Sequence, residues 1–267
     1  MSVITKKQGQ LEYEVAQGIA VPHCFTTRLG GVSQGHLASM NIGVRRGDDP
    51  ANVAENFRIL GKAVGFSLAD LVSTRQTHSD IIWQVGHAQR GTAITLNSSP
   101  ECDALITNEP GTGLVIYTAD CTPLLLWDSV TGAVGAAHAG WRGTAADIGG
   151  KTVRAMVDAY GCDPANIHAA IGPNIGFCHF ETDGDVPEAL RAAYGAEADA
   201  FIRATGEKYY VNLKEINALA LRRAGVRHIE ISESCTMCRP DRFWSHRITG
   251  SQRGSQGAII LCKEGSK

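Results

Sequence analysis

No apolar run in this 267-residue sequence approaches the roughly 18 residues that a membrane-spanning helix needs, so a membrane partner is not expected. There is no basic surplus either. Lys and Arg number 25 against 27 Asp and Glu, a formal charge of -2, which leaves no electrostatic grip on a nucleic-acid backbone. None of the nine histidines forms a His-x-His pair, the arrangement that clusters imidazoles in multicopper centres. Cys235-Thr-Met-Cys238 has the spacing of half a zinc ribbon, but the sequence holds no second such pair. It reads as a structural or incidental pair. Internal repeats, low-complexity tracts and linkers are missing, and the expectation is one domain over 1–267. No apolar segment follows Lys6-Lys7, so an export signal is not expected. The eight cysteines are then expected as reduced thiols in the cytoplasm.

What is present is a core's worth of apolar residues, 43% of the chain, interrupted at a few chemically pointed places. Gly113 to Trp127 and Ala133 to His138 are apolar runs around a Thr131-Gly132 turn and predict adjacent strands. Cys121 and His138 then come close at one end of the pair. His78 interrupts another extended run, Leu71 to Val85, within Arg75-Gln-Thr-His78-Ser-Asp80. A thiol that meets an imidazole has two chemistries open to it. The two act as nucleophile and base, or they share a soft divalent ion. One Cys and two His meet the three-ligand count of a catalytic zinc site with an open fourth position.

Residues 28–47 hold five glycines and predict a long functional loop. Asp49-Pro50 opens a helix to about Ala63 with Val53, Phe57 and Leu60 as its apolar stripe. Thr144-Ala-Ala-Asp147 has the form of a capping box for a helix that ends before Gly161. Ile167 to Ile171, Val226 to Ser232 and Ala258 to Cys262 predict strands, and 187–198 and 213–224 predict helices. Strict βαβ alternation is lacking, which favours an α+β fold with mixed sheets.

Asp120 is a candidate to orient a histidine ring; a lone Asp equally caps a turn. Arg142, at a strand-to-helix junction, is a candidate anion seat or a surface residue packed on Trp141. Gly149-Gly-Lys151-Thr152 fails as a phosphate loop because Ala145 stands where that pattern needs Gly.

Motifs along nearly the whole chain carry a resemblance. They are Gly30-Gly-Val-Ser-Gln-Gly with Met40-Asn-Ile-Gly43, Gln76-Thr-His78, Cys102-Asp-Ala-Leu-Ile-Thr107 and Ala119-Asp-Cys121-Thr-Pro-Leu. Ala137-His-Ala-Gly-Trp-Arg-Gly143, Ile171-Gly-Pro-Asn-Ile-Gly176 and Ser234-Cys-Thr236 before Phe243-Trp-Ser245 complete them. The chain resembles the YfiH family of purine nucleoside phosphorylases, formerly called laccase-domain or polyphenol oxidase proteins. The resemblance implies a layered α/β/β/α fold shared with toxin-type deamidases that use a Cys–His pair. It implies one zinc ion on His78, Cys121 and His138. The implied activities are phosphorolysis of adenosine, inosine and methylthioadenosine, with adenosine deamination; phenol oxidation with copper has also been ascribed to the family.

On that reading the partners are purine nucleosides and phosphate, and the protein is a monomer or homodimer. Cys121, His138, Arg142 and Asp120 are the candidate catalytic residues. Arg142, Arg45 and Arg28 are candidate phosphate holders, and Asn41 and Gln76 candidates for ribose or base. The tail departs from the family pattern: Ile248 replaces one Arg of a pair, and Arg253 stands in a shifted segment. A metal-free cysteine hydrolase using Cys121 and His138, and a zinc-stabilised binding module, are the competing readings.

Overall fold

The computed structural model describes residues 2–95 and 99–263. The strands, in chain order, begin with β1 (Val3–Gln8), β2 (Leu11–Ala16), β3 (His23–Thr26), β4 (Leu71–Ser73) and β5 (Ile82–Gln84). Next come β6 (Ala104–Thr107), β7 (Gly113–Thr118), β8 (Thr122–Asp128), β9 (Val134–Ala139) and β10 (Ile167–Ile171). The last five are β11 (Glu181–Thr182), β12 (Ile202–Thr205), β13 (Lys208–Val211), β14 (His228–Ile231) and β15 (Gln256–Leu261). The helices are α1 (Pro50–Val64), α2 (Trp141–Ala145), α3 (Ile148–Tyr160), α4 (Asp185–Tyr194), α5 (Leu213–Arg223) and α6 (His246–Thr249). No helix among the described residues is long and apolar enough to cross a membrane.

Two six-stranded mixed sheets form the body, in the orders β1-β2-β3-β15-β7-β4 and β14-β10-β8-β9-β6-β5. Side-chain alternation explains why they stack. Leu114 and Ile116 of β7, with Ala258 and Ile260 of β15, meet Leu125 of β8 and Val134 and Ala136 of β9 between the sheets. The intervening residues Val115 and Ile259 face the other way and bury Val53, Phe57 and Leu60 of α1. On the far side, Leu124, Leu126, Ala137 and Ala169 pack on Val153 and Met156 of α3 and Leu221 of α5. The order is therefore helix, sheet, sheet, helix. A third sheet, β11-β13-β12, shares a separate apolar cluster with α4 and α5.

Several boundaries differ from the sequence reading. The run Gly113 to Trp127 is two strands in two different sheets, because the chain crosses between them at Ala119–Cys121. Asp120 makes that turn at φ 82, a left-handed conformation that apolar patterning does not signal. The capping box at Thr144 does not form. Thr144 is buried in α2, its hydroxyl accepting from Asn217 Nδ2 at 3.0 Å, and Asp147 leads into α3 in a left-handed conformation without a side-chain cap bond. The helix placed at 187–198 begins earlier, at Asp185, and gives way to a 3₁₀ segment at Gly195–Phe201. The first three strands, and β12 and β13, carried no pattern that the sequence reading used. By contrast, α1 starts as read, with Asp49 accepting from Ala51 N at 2.8 Å and Pro50 at the first helical position.

Phe57 is fully buried between α1 and the first sheet. Phe57→Ala is expected to cost about 3–5 kcal/mol of stability, measured by urea unfolding at constant slope.

Candidate metal centre and its pocket

Both crossings from the first sheet to the second occur at one end of the sandwich, and each carries a ligand-type side chain. The β7-to-β8 crossing ends in Cys121. The β4-to-β5 crossing carries His78, itself left-handed at φ 61. His138 comes from β9, where it pairs with Pro123 of β8. It shares its parity with Val134 and Ala136 and so points toward the space between the sheets. The donor atoms of His78, Cys121 and His138 all lie within 4.8 Å of one another. Cys121 Sγ is 3.9 Å from His78 Nε2, and the two imidazoles meet edge to face with centroids 4.9 Å apart.

Asp103 holds this arrangement. It is fully buried at the start of β6. Its carboxylate accepts the His138 Nδ1 proton at 2.8 Å, the backbone N–H of His78 at 3.1 Å, and both N–H and hydroxyl of Ser79 at 2.7 Å. Its carbonyl also takes the His138 N–H at 2.7 Å. One side chain therefore fixes the His78 loop and the His138 tautomer, leaving Nε2 to face Cys121. Of the two roles the sequence left open for Asp120, orienting a histidine is not the one it takes: Asp120 accepts from Thr236 Oγ1, Ser245 Oγ and Arg247 N and anchors the C-terminal segment. Asp103 lay within the Cys102-Asp motif quoted above. The signal that would have found it was a carboxylate heading the apolar Ala104-Leu-Ile run, where only a tightly hydrogen-bonded acid is tolerated.

The electrostatics follow from burial and proximity. Burial raises the Asp103 carboxyl, but hydrogen bonds from His138 and Ser79 and the His138 charge overcome it and hold the group well below the usual range. Burial likewise raises the Cys121 thiol, yet His138 and His78 bring it down to about 6. His138 is lowered by burial and raised by Cys121 and Asp103, to about 9. Without metal the pair is thus thiolate and imidazolium between those limits. The donor set of one thiolate and two imidazoles fits a single zinc ion with three protein ligands. Gly140 leaves room for it: a Cβ there would stand 2.9 Å from His78 Cδ2 and 3.3 Å from Cys121 Sγ.

The triad opens into a pocket lined also by Arg45, Arg46, Arg75 and Arg253. Burial and the adjacent Arg46 lower Arg253 to about 10, which still leaves it charged at neutral pH. Both guanidinium groups lean on the Ser255 hydroxyl, Arg46 at 3.1 Å and Arg253 at 3.4 Å. Of the residues put forward from sequence, Arg45 and Gln76 line this pocket. Gln76, however, is spent on the Tyr117 backbone, donating to its carbonyl and accepting its N–H at 2.7 Å each. Asn41 does not line the pocket. It is fully buried, and its Oδ1 accepts from Gly43 N and Ser255 N at 2.9 Å, tying the glycine-rich loop to the tail. Arg28 lies away from the pocket, donating to Pro240 O and Ala38 O and stacked on Trp244 at 3.9 Å. Arg142 is exposed and stacked on Trp141 at 4.3 Å, outside the pocket lining. Arg46 and Arg253 were not among the sequence candidates.

Fold and site together define an α/β/β/α sandwich with a Cys/His metal-donor triad between its sheets. The chain belongs to the family described as multi-copper polyphenol oxidoreductase laccase, whose sequence model matches residues 22–263. It is 41% identical to a purine nucleoside phosphorylase of Deinococcus radiodurans, covering 92% of this chain and 90% of that one. It is 35% identical to the purine nucleoside phosphorylase YfiH of Escherichia coli, over 86% of this chain and 89% of the other. Among solved structures, YlmD of Geobacillus stearothermophilus superposes with a TM-score of 0.91 at 35% identity, over 98% of this chain and all of that one. The YfiH protein of Bacillus licheniformis gives the same TM-score at 31% identity, over 97% and 99%. The motif series quoted above therefore pointed to the right family and the right layering.

Two outcomes test the geometry. Asp103→Asn and Gly140→Ala should each weaken metal affinity about 10- to 100-fold with the far-ultraviolet circular dichroism unchanged, read by chelator competition. In metal-free protein, alkylation of Cys121 should hold its neutral-pH rate down to about pH 6 and fall below it, because the thiolate persists above its depressed pKa; peptide mapping after iodoacetamide treatment measures this.

Proposed function

We propose that this protein is a zinc-dependent purine nucleoside phosphorylase acting on adenosine, inosine and methylthioadenosine, with a secondary adenosine deaminase activity. The observation that carries the reading is the pairing of a Cys/His metal-donor triad with an arginine-lined wall in one pocket. Close relatives carrying the phosphorylase name support it. Arg46 and Arg253 repel each other across Ser255, and a dianionic phosphate seated between them relieves that repulsion and accepts their charge-assisted hydrogen bonds. Arg45 and Arg75 extend the same positive wall. In phosphorolysis a phosphate oxygen bonds to the ribose C1′ while the bond from C1′ to the purine N9 breaks. The electron pair leaves with the base, which takes up a proton. Holding phosphate beside C1′ is the work of the arginines, and converts a bimolecular encounter into a positioned one. His78, Cys121 and His138 would hold the zinc ion, which would supply Lewis acidity at the substrate. Asp103 keeps His138 in the tautomer that this role requires.

One observation favours a second reading. Asp103, His138 and Cys121 also stand as orienter, base and nucleophile of a metal-free cysteine hydrolase, with the thiol depressed and the imidazole raised. Metal content separates the two, since one tightly bound zinc at the triad favours the first. Copper recovered after purification would not decide the native metal, because copper outcompetes zinc at such donors.

Incubation of adenosine with phosphate should yield adenine and ribose 1-phosphate, whereas without phosphate only inosine and ammonia should form. Adenine released equally fast without phosphate would refute the proposal. Arg253→Gln should raise the phosphate KM about tenfold or more while leaving the rate of inosine formation from adenosine within about twofold. His138→Ala should lose turnover together with the zinc ion of the His78/Cys121/His138 triad.

A further inference from the structure

Cys235-Thr-Met-Cys238 was set aside because no second cysteine pair exists in the sequence. The fold supplies the missing partners from elsewhere: Cys178 and His179, on the segment between β10 and β11, meet Cys235 and Cys238. The four donor atoms lie within 4.8 Å of one another. His179 Nδ1 stands 3.1 Å from Cys178 Sγ, 3.4 Å from Cys238 Sγ and 3.7 Å from Cys235 Sγ, and the Cys178 and Cys238 sulfurs are 3.5 Å apart. Tetrahedral zinc with ordinary bond lengths places sulfur about 3.8 Å from sulfur and about 3.6 Å from nitrogen. The four separations match those edges to within about half an ångström.

We propose that Cys178, His179, Cys235 and Cys238 bind a second zinc ion, with four protein ligands and therefore a structural role. The surroundings are built for a thiolate. Cys235 Sγ accepts the Gly176 N–H at 3.1 Å and, through the turn of the Cys-x-x-Cys segment, the N–H groups of Met237 and Cys238. Gly176 lets the sulfurs approach closely, since a Cβ there would stand 3.2 Å from Cys235 Sγ and 3.3 Å from Cys178 Sγ. Three thiolates on a divalent ion leave one net negative charge. The buried Lys214 ammonium, held by the carbonyls of Ser232 and Ser234, sits where its charge acts on Cys235 and Cys178. The two segments already lie side by side, with Asn174 bridged to Cys235 and Thr236 N donating to Asn174 O at 2.9 Å. The ion staples them, and the stapled segment continues to Thr236, which bonds Asp120 beside Cys121. A Cys3His set in tetrahedral geometry selects zinc over harder ions.

The test is metal stoichiometry by inductively coupled plasma mass spectrometry on full-length protein made in zinc-supplemented medium. Wild type should hold two zinc ions per chain. His78→Ala/His138→Ala should keep one, and its cobalt-substituted form should show thiolate-to-cobalt charge transfer with the intense visible bands of a tetrahedral ion. Cys178→Ser/Cys238→Ser should lose one ion relative to wild type. Both altered cysteines are exposed, so the variant folds; if it does not, the cobalt spectrum of the double-histidine variant decides alone. A folded double-histidine variant without zinc, or a Cys178–Cys238 disulfide in protein purified under reducing conditions, overturns the inference. A wild type with a single zinc ion that disappears in the double-histidine variant leaves the active-site reading standing and this one fallen; a single zinc ion that disappears only in the double-cysteine variant does the reverse.

Discussion

The site rests on one buried carboxylate. Asp103 is removed from water at the head of β6, and a bare charge there would be costly without full compensation. Compensation comes from the same groups that need placing: the His138 ring, the His78 backbone and Ser79. Each hydrogen bond that stabilises the anion also fixes a prospective ligand. The left-handed backbone at His78 is part of this, since it turns successive N–H groups of 77–79 toward a single acceptor. Strain at one residue is offset by charge-assisted bonds at three.

A second network does for the anion side what Asp103 does for the metal side. Asn56 of α1 donates to Asn41 O and to Ser33 Oγ and accepts from Val32 N, so a helix residue pins both limbs of the glycine-rich loop. Asp48 accepts from Asn41 Nδ2 and Ser33 Oγ and closes the same ring. Asn41 then reaches Ser255. Arg46 and Arg253, more than two hundred positions apart in sequence, meet at Ser255, whose N–H this network holds through Asn41. The polar residues buried here are scaffolding for cations.

What could be read from the sequence divides along this line. Local patterns were sufficient for α1, for the β8–β9 hairpin that brings Cys121 near His138, and for β10, because apolar periodicity and turn residues are local signals. The layered order and the family followed from motif resemblance. The metal-donor triad was visible because its residues interrupt apolar runs. Residues that act through partners were misread. Asp120 and Asn41 sit in quoted motifs, yet their side chains turn to structural bonds that only the fold reveals. Arg253 was obscured by a tail that departs from the family pattern, although its guanidinium reaches the pocket from the shifted position. The split of Gly113 to Trp127 between two sheets depends on one left-handed residue, which hydropathy does not encode.

His78 and Cys121 ride on the two strips of chain that pass from the first sheet to the second, while His138 belongs to the second sheet itself. The distances among the three donors therefore record how far one sheet has slid over its neighbour. An ion gripped by all three would act as a rivet through the sandwich, opposing shear at that end. Occupancy and the mechanical registry of the two sheets become a single variable.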